Sequence, residues 1–350
     1  MAGLPVTIDD VRHAATVIHG RVRRTPVMTC ASLGEGVWLK AELFQRTGAF
    51  KVRGAFSRIA ELSPEERARG VVTCSAGNHA AAVALAGREL GTNALVMMPR
   101  WASQAKVDAT RAYGGTADLE SADATEAFAR MHAEAEASGR VIVHPFDDRA
   151  VMAGQGTVGL ELCEQVGEVT QVVVPVGGGG LIAGVATAVK ALAPGARVIG
   201  VEPATISTLA TSIAAGLPVP RPAGVSIADA LGPPSIGTGP LAVLDELLDQ
   251  AVMVSEEQIA EGFRFLYARA KLAVEPAAAA PVAALLAGLV EPLPGTVLLL
   301  SGGNVSPDVA AKLLAPPTRM RSQATRTVCA PGGSAAQSIS TMRSSGEPSS

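Results

Sequence analysis

Lys51 stands between Phe50 and Val52 in the run Gln45-Arg46-Thr47-Gly48-Ala49-Phe50-Lys51-Val52-Arg53-Gly54-Ala55. An apolar setting disfavours the ammonium form and lowers an amine's pKa, which makes a lysine a nucleophile or a general base. Three small-residue turns offer complementary chemistry. In VVVPVGGGGLIAGVATAV a β-branched run enters Gly177, Gly178, Gly179 and Gly180 and passes straight into a helical pattern. The N–H groups of such a turn, with the positive end of the following helix, bind phosphate without a charged side chain. Glycine allows the close approach and the unusual dihedrals. Ser75-Ala76-Gly77-Asn78-His79 follows the run VVTC and makes a second anion-receiving turn, suited to a carboxylate. LLLSGGN delivers Ser301 to the carboxyl edge of a sheet, where open α/β sheets bind ligands.

Each of these signals has an ordinary counterpart. Gly177–Gly180 also reads as a tight βα turn, Ser75–His79 as a helix cap, and LSGGN as a strand-ending turn. A lone lysine is usually at the surface, and a lone histidine usually a satisfied one. A second functional reading fits one segment: Gly178, Gly180 and Gly184, with Glu202 ending the next strand, resemble a nicotinamide-nucleotide loop.

The elements that must position these residues are legible in the alternation of short β-branched runs with alanine-rich stretches. Strands are expected at Val71–Cys74, Ala94–Met98, Val141–Phe146, Val172–Val176, Val198–Glu202 and Thr296–Ser301. Helices are expected at Asn78–Leu90, Ala105–Tyr113 and Ala183–Leu192, with Asp147 and Asp148 capping another. Strands without polar alternation, separated by helices, imply an α/β fold of parallel sheets covered on both faces.

Composition narrows the class. A chain of 350 residues suggests two domains, and a formal net charge of −3 gives no electrostatic footprint for nucleic acid. No apolar run is long enough to span a membrane. The N-terminus patterns as an amphipathic helix rather than a signal peptide, and the dispersed Cys30, Cys74, Cys163 and Cys329 fit thiols of a reducing cytoplasm. From Pro316 onward periodicity and core residues vanish, so 317–350 is expected to be a disordered tail.

Taken in order, Lys40-Ala41-Glu42 with TGAFKVRGA, then CSAGNHA, KVDATRAYG, HPFDD, AGQGTVGLE, VPVGGGGLIAG, VIGVEPA, SIAD, KLAVEPA and LSGGN resemble the threonine/serine dehydratase family of pyridoxal-phosphate enzymes. The resemblance runs from about residue 8 to 314 and removes the nicotinamide reading, which leaves the Lys51 block and LSGGN without a role. It implies two open parallel-sheet domains of the second common pyridoxal-phosphate fold, with the cofactor in the cleft between them. The large domain would comprise 1–65 and 149–316, and the small, substrate-binding domain 66–148. A homodimer acting on a small amino acid is implied by the same resemblance.

The implied roles follow residue by residue. Lys51 holds the cofactor covalently with Phe50 beside it, Gly177–Gly180 cradle its phosphate, Asn78 bonds the ring hydroxyl and Ser301 faces the pyridine nitrogen. Ser75, Ala76, Gly77, Asn78 and His79 hold the substrate carboxylate, largely through backbone N–H groups. Glu275 matches a family glutamate near the ring. The implied reaction converts threonine to 2-oxobutanoate, or serine to pyruvate, with release of ammonia; the freed Lys51 takes the Cα proton as general base.

Several positions depart from the family pattern. Ala49 stands where serine is usual and resembles the dehydratases of hydroxyectoine breakdown. Ala81 replaces glutamine, and Ala230 and Ala278 replace glycines. Thr208 replaces an aspartate that in relatives joins the acid matching Glu202 at a structural cation, so no tight divalent site is expected. Ala76 replaces the serine by which serine racemases supply a second proton. The departures keep two alternatives open: a lyase for a modified hydroxy amino acid, and a non-catalytic protein that holds pyridoxal phosphate.

Overall fold

Why the glycines and buried runs fall where they do becomes clear from the sheets they build. The computed structural model describes residues 3–222 and 224–315; the expected tail at 317–350 lies outside them. The strands are β1 (Val27–Thr29), β2 (Val37–Ala41), β3 (Val71–Cys74), β4 (Ala94–Pro99), β5 (Thr116–Ser121), β6 (Val141–Ile142), β7 (Gln171–Pro175), β8 (Arg197–Pro203), β9 (Gln250–Val254) and β10 (Thr296–Leu300). One sheet has the order β1-β2-β10-β7-β8-β9 and the other β5-β4-β3-β6. Every residue of β3, β7 and β10 is buried, which explains their unbroken apolar character.

Among the described residues every pairing between these strands is parallel except one. β1 runs antiparallel to β2, with Val27 opposite Lys40 and Thr29 opposite Trp38. The expectation of purely parallel sheets fails at this edge because residues 30–36 are too few for the crossover that a parallel pair requires.

The helices are α1 (Ile8–Val17), α2 (Val52–Ala60), α3 (Pro64–Arg69), α4 (Asn78–Leu90), α5 (Gln104–Ala112), α6 (Ala124–Ser138), α7 (Arg149–Val166), α8 (Gly180–Leu192), α9 (Leu209–Ala215), α10 (Thr238–Leu247), α11 (Glu256–Phe265), α12 (Pro276–Leu286) and α13 (Pro307–Leu314). Residues of α1, α7, α8 and α10 share one core with the six-stranded sheet, and those of α11 and α12 share another with it. The motif AGQGTVGLE belongs to this packing. A methyl on Gly159 would stand 2.7 Å from Ala188 Cβ, and one on Gly184 would collide with Met152 and Gly156, so α7 and α8 approach through their small residues.

The expected strand at Val141–Phe146 stops at Ile142. His144 Nδ1 accepts the N–H groups of Phe146 (3.3 Å) and Asp147 (2.8 Å), which turns the chain out of the sheet. Asp148 caps α7 through Val151 N–H at 2.9 Å, as expected. Asp147 instead caps α10, accepting from Thr238 (3.0 Å) and Gly239 (2.9 Å).

Candidate active site

Four of the sequence signals sit at the starts of helices. Lys51 is the N-cap of α2, Gly77 and Asn78 open α4, Gly179 and Gly180 open α8, and Glu275 is the N-cap of α12. In a parallel α/β architecture these starts gather beyond the carboxyl ends of the strands.

The Lys51 block and LSGGN, far apart in sequence, are stitched together by backbone. Phe50 N–H donates to Ser301 O (3.1 Å), Gly303 N–H to Gly48 O (2.9 Å) and Glu275 N–H to Gly302 O (3.1 Å), while Ala49 and Gly302 form an antiparallel bridge. Thr47, at φ 61, and Gly48, at φ 75, are both left-handed; the non-glycine Thr47 holds a strained turn immediately before the bridge.

Lys51 keeps some contact with solvent, but its amine lies among protein atoms. Nζ donates to Pro145 O at 2.6 Å and stands 5.2 Å from the Phe50 ring centroid. Loss of hydration pulls its pKa down to about 8, with Glu275 opposing the fall. The positive end of α2 acts in the same direction as burial.

Asn78 and Glu275 face one another. Asn78 Nδ2 donates to both carboxylate oxygens, at 2.9 and 3.0 Å, and burial drives the Glu275 pKa up to about 7, with Asp229 adding to the rise and Asn78 opposing it. Gly177–Gly180 present N–H groups that donate to no acceptor among the described residues. A methyl on Gly178 would overlap the Phe146 ring, and one on Gly179 would come within 2.7 Å of Pro240. Ser301, directly after β10, is 3 % exposed.

At the second turn, Ser75 Oγ accepts Gly77 N–H at 3.1 Å, and Ala76 and Gly77 lie on the partly exposed surface. The His79 imidazole points elsewhere: Nε2 lies 3.1 Å from Val143 O, and burial drives its pKa down to about 3. A contribution from His79 to an anion site is therefore that of its backbone N–H. Among the departures, Ala49 is fully buried against Gly302, Ala278 is fully buried in α12, and Ala230 is exposed. Glu202 accepts Thr208 N–H and Leu209 N–H, each at 2.9 Å, and so caps α9.

A model of the family described as pyridoxal-phosphate dependent enzyme matches residues 18–302. The chain belongs to this family. An L-threonine ammonia-lyase of Geobacter sulfurreducens is 42% identical over 307 residues, covering 86% of this chain and 76% of the relative. A solved T.th. threonine deaminase is 40% identical with a TM-score of 0.81, covering 86% of this chain and 99% of its own. Maize serine racemase is 37% identical with a TM-score of 0.84, covering 88% and 96%.

The residues present in this pyridoxal-phosphate enzyme fit the cofactor. An amine of lowered pKa, a glycine turn with unused N–H donors, and a buried serine match an aldehyde, a phosphate and a pyridine nitrogen in kind.

Some site residues escaped the sequence reading. Asn304 Nδ2 donates to Thr47 O (2.7 Å) and to Asn78 Oδ1 (2.8 Å), joining three turns. LSGGN contains it, but only Ser301 has a sequence-level reason to be chosen. Pro145 and Phe146, which touch Lys51 and the glycine turn, lie within HPFDD. Beneath the site, Arg53 is wholly buried and bonded to Glu42 (2.8 Å) and Glu161 (2.7 Å), and Lys40 donates to Glu161 at 2.6 Å. These pairs explain Lys40-Ala41-Glu42 and the closing Glu161 of AGQGTVGLE. The two pairs made with Glu161 join residues more than a hundred positions apart and carry no local sequence signal.

Proposed function

We propose that this chain is a pyridoxal-phosphate-dependent ammonia-lyase that converts L-threonine to 2-oxobutanoate and L-serine to pyruvate, releasing ammonia. The observation that carries the reading is Lys51: a lysine with its pKa drawn to about 8, beside the Asn78–Glu275 pair and bridged by backbone to Ser301. The names of the relatives at about this level of identity point to the same reaction.

In this reading Gly177–Gly180 hold the cofactor phosphate through their N–H groups, Asn78 orients the ring hydroxyl, and Ser301 meets the pyridine nitrogen. When bound, the cofactor withdraws electrons from the substrate and acidifies its Cα–H bond. Nζ of Lys51, whose pKa is drawn down to about 8 so that much more of it is neutral than for an ordinary lysine, takes that proton as general base. The N–H groups from Ser75 to His79 fix the substrate carboxylate, which sets the Cα–H bond toward Lys51. Ser301 would donate its hydroxyl proton to the pyridine nitrogen without carrying charge, an arrangement that suits a neutral ring and favours prompt loss of the β-hydroxyl.

We assign 66–148, around the four-stranded sheet, to a small domain that closes on substrate, and 1–65 with 149–316 to the large domain. The reading includes a homodimer in the cytoplasm. Among the described residues no helix is long and apolar enough to cross a membrane.

Racemisation is disfavoured because the methyl of Ala76 cannot shuttle a proton. A lyase for a modified hydroxy amino acid is the second reading, favoured by Ala49, whose methyl sits against Gly302 within the site. The test is 2-oxo acid release from L-threonine and L-serine by protein supplied with pyridoxal phosphate, with Lys51→Ala as control. Release that vanishes in the control supports the lyase. No release, with cofactor bound, transfers the reading to larger hydroxy amino acids, and release of D-serine from L-serine would overturn the exclusion of racemisation. A methyl group discriminates by only about 1–3 kcal/mol, so both substrates are expected to react.

A further inference from the structure

We propose that His144 is a positioning residue for Lys51: its Nδ1 shapes the turn that carries the acceptor of the lysine amine and the ring beneath the glycine loop. Nδ1 accepts the N–H groups two and three residues ahead, Phe146 at 3.3 Å and Asp147 at 2.8 Å. This is the geometry by which an asparagine or aspartate side chain closes a turn on its own backbone, here supplied by an imidazole. Three contacts leave that turn for the site. Pro145 O accepts Lys51 Nζ at 2.6 Å. The Phe146 ring packs so closely on Gly178 that a methyl there would overlap it, and Phe146 O lies 2.7 Å from where a methyl on Gly180 would stand. The Asp147 carboxylate caps α10, which fixes the far end of the turn.

The imidazole suits the task because it stays neutral. It packs between Phe128, at 5.7 Å between ring centroids, and Phe146, at 4.7 Å and nearly perpendicular. Burial drives its pKa down to about 4, so at neutral pH Nδ1 keeps its lone pair for the two N–H groups. The groups facing Lys51 are Glu275 from the start of α12, His79 from α4 and His144 itself. Asp147 and Asp148 bear on His144, the first bonded to α10 and the second paired with Arg58 at 3.0 Å. Loosening the turn would therefore act on Lys51 by letting water reach the amine, which raises its pKa.

The proposal rests on Lys51 as the reactive lysine, and its test needs no cofactor. Lys51 in the cofactor-free, full-length chain is labelled with trace acetic anhydride across pH 6–11, and the acetylated fraction is read by peptide mass. His144→Asn keeps a turn-closing oxygen, whereas His144→Phe keeps the ring between Phe128 and Phe146 and removes the acceptor. The expected labelling midpoint is near pH 8 for the wild type and within about half a unit of it for His144→Asn. For His144→Phe it is expected to rise by about one unit or more, toward an ordinary lysine. An unchanged midpoint in His144→Phe overturns the proposal, as does a His144→Asn protein that behaves like His144→Phe. Failure of the enzyme reading has a separate signature: visible cofactor absorbance that survives Lys51→Ala.

Discussion

Replacing Lys51 by methionine should make the cofactor-free protein more stable, because the fold holds the amine where its charge is disfavoured. An ordinary lysine titrates at 10.5, and Lys51 is drawn down to about 8. At 1.36 kcal/mol per pKa unit, that difference amounts to roughly 3 kcal/mol against the native state. The residual solvent contact of Lys51 and its bond to Pro145 O reduce the net gain from removing the charge to about 1–3 kcal/mol. The sign of the pH dependence follows from the depressed value. Below pH 8 both states carry the proton and the native state bears the whole penalty. Between about 8 and 10.5 the unfolded chain still holds a proton that the native state has released, so wild-type stability rises through that window. Thermal melts of cofactor-free wild type and Lys51→Met, at pH 7 and pH 10, measure the effect. At about 2 °C per kcal/mol for a chain of this size, the variant should melt about 2–6 °C higher at pH 7. Roughly three-quarters of the advantage should be gone at pH 10. A variant that melts lower than wild type at pH 7, or that gains equally at both pH values, would refute the account of a desolvated amine.

Three further outcomes are expected. Gly178→Ala must displace the Phe146 ring, and overpacking of about 1–3 kcal/mol should weaken pyridoxal phosphate binding roughly 5- to 150-fold, read by titrating the visible absorbance. Glu161→Ala leaves Lys40 and Arg53 with too little negative charge inside the fold, which should cost about 3–5 kcal/mol and lower the melting temperature by about 6–10 °C; a loss under about 2 °C would show the network to be dispensable. Asn304→Ala frees the Asn78 amide at an exposed contact, so kcat/KM should fall about 2- to 10-fold while the melting temperature stays within about 2 °C.

Much of the fold was legible because the central strands are buried on both faces. VVTC, VVVP and TVLLL show no polar alternation and lead into turns of small residues, so their existence could be read and their ends placed to within one residue. The edges of the sheets were not. β5 is the run TADLES, in which only Ser121 is buried, and β1 is only three residues long; neither leaves an apolar run to notice. Val141–Phe146 failed for the opposite reason. Its apolar composition reads as a strand, but His144 turns the backbone, and Pro145 has no N–H to offer a ladder. The same limit governs the site. Lys51, the glycine turn and Ser301 are marked by local pattern, whereas Asn304, Pro145 and the Arg53 network gain their meaning from partners brought close only by folding.

The starts of α2, α4, α8 and α12 at the site residues suggest why so little formal charge is used there. In the proposed reading the cofactor phosphate and the substrate carboxylate are both anions, yet Lys51 must give up its proton to serve as the base. Arginine or lysine side chains could hold the anions, but another lysine could compete for the cofactor aldehyde. Helix N-termini supply partial positive charge that neither titrates nor reacts, and at Lys51 the same field disfavours the ammonium form. The buried cations nearby, Arg53 and Lys40, are matched by Glu42 and Glu161, so they leave little net charge to bias the site. On the proposed reading, anion binding and base catalysis are compatible because uncharged backbone holds the anions while burial lowers the Lys51 pKa, with Glu275 the buried acid that opposes the fall.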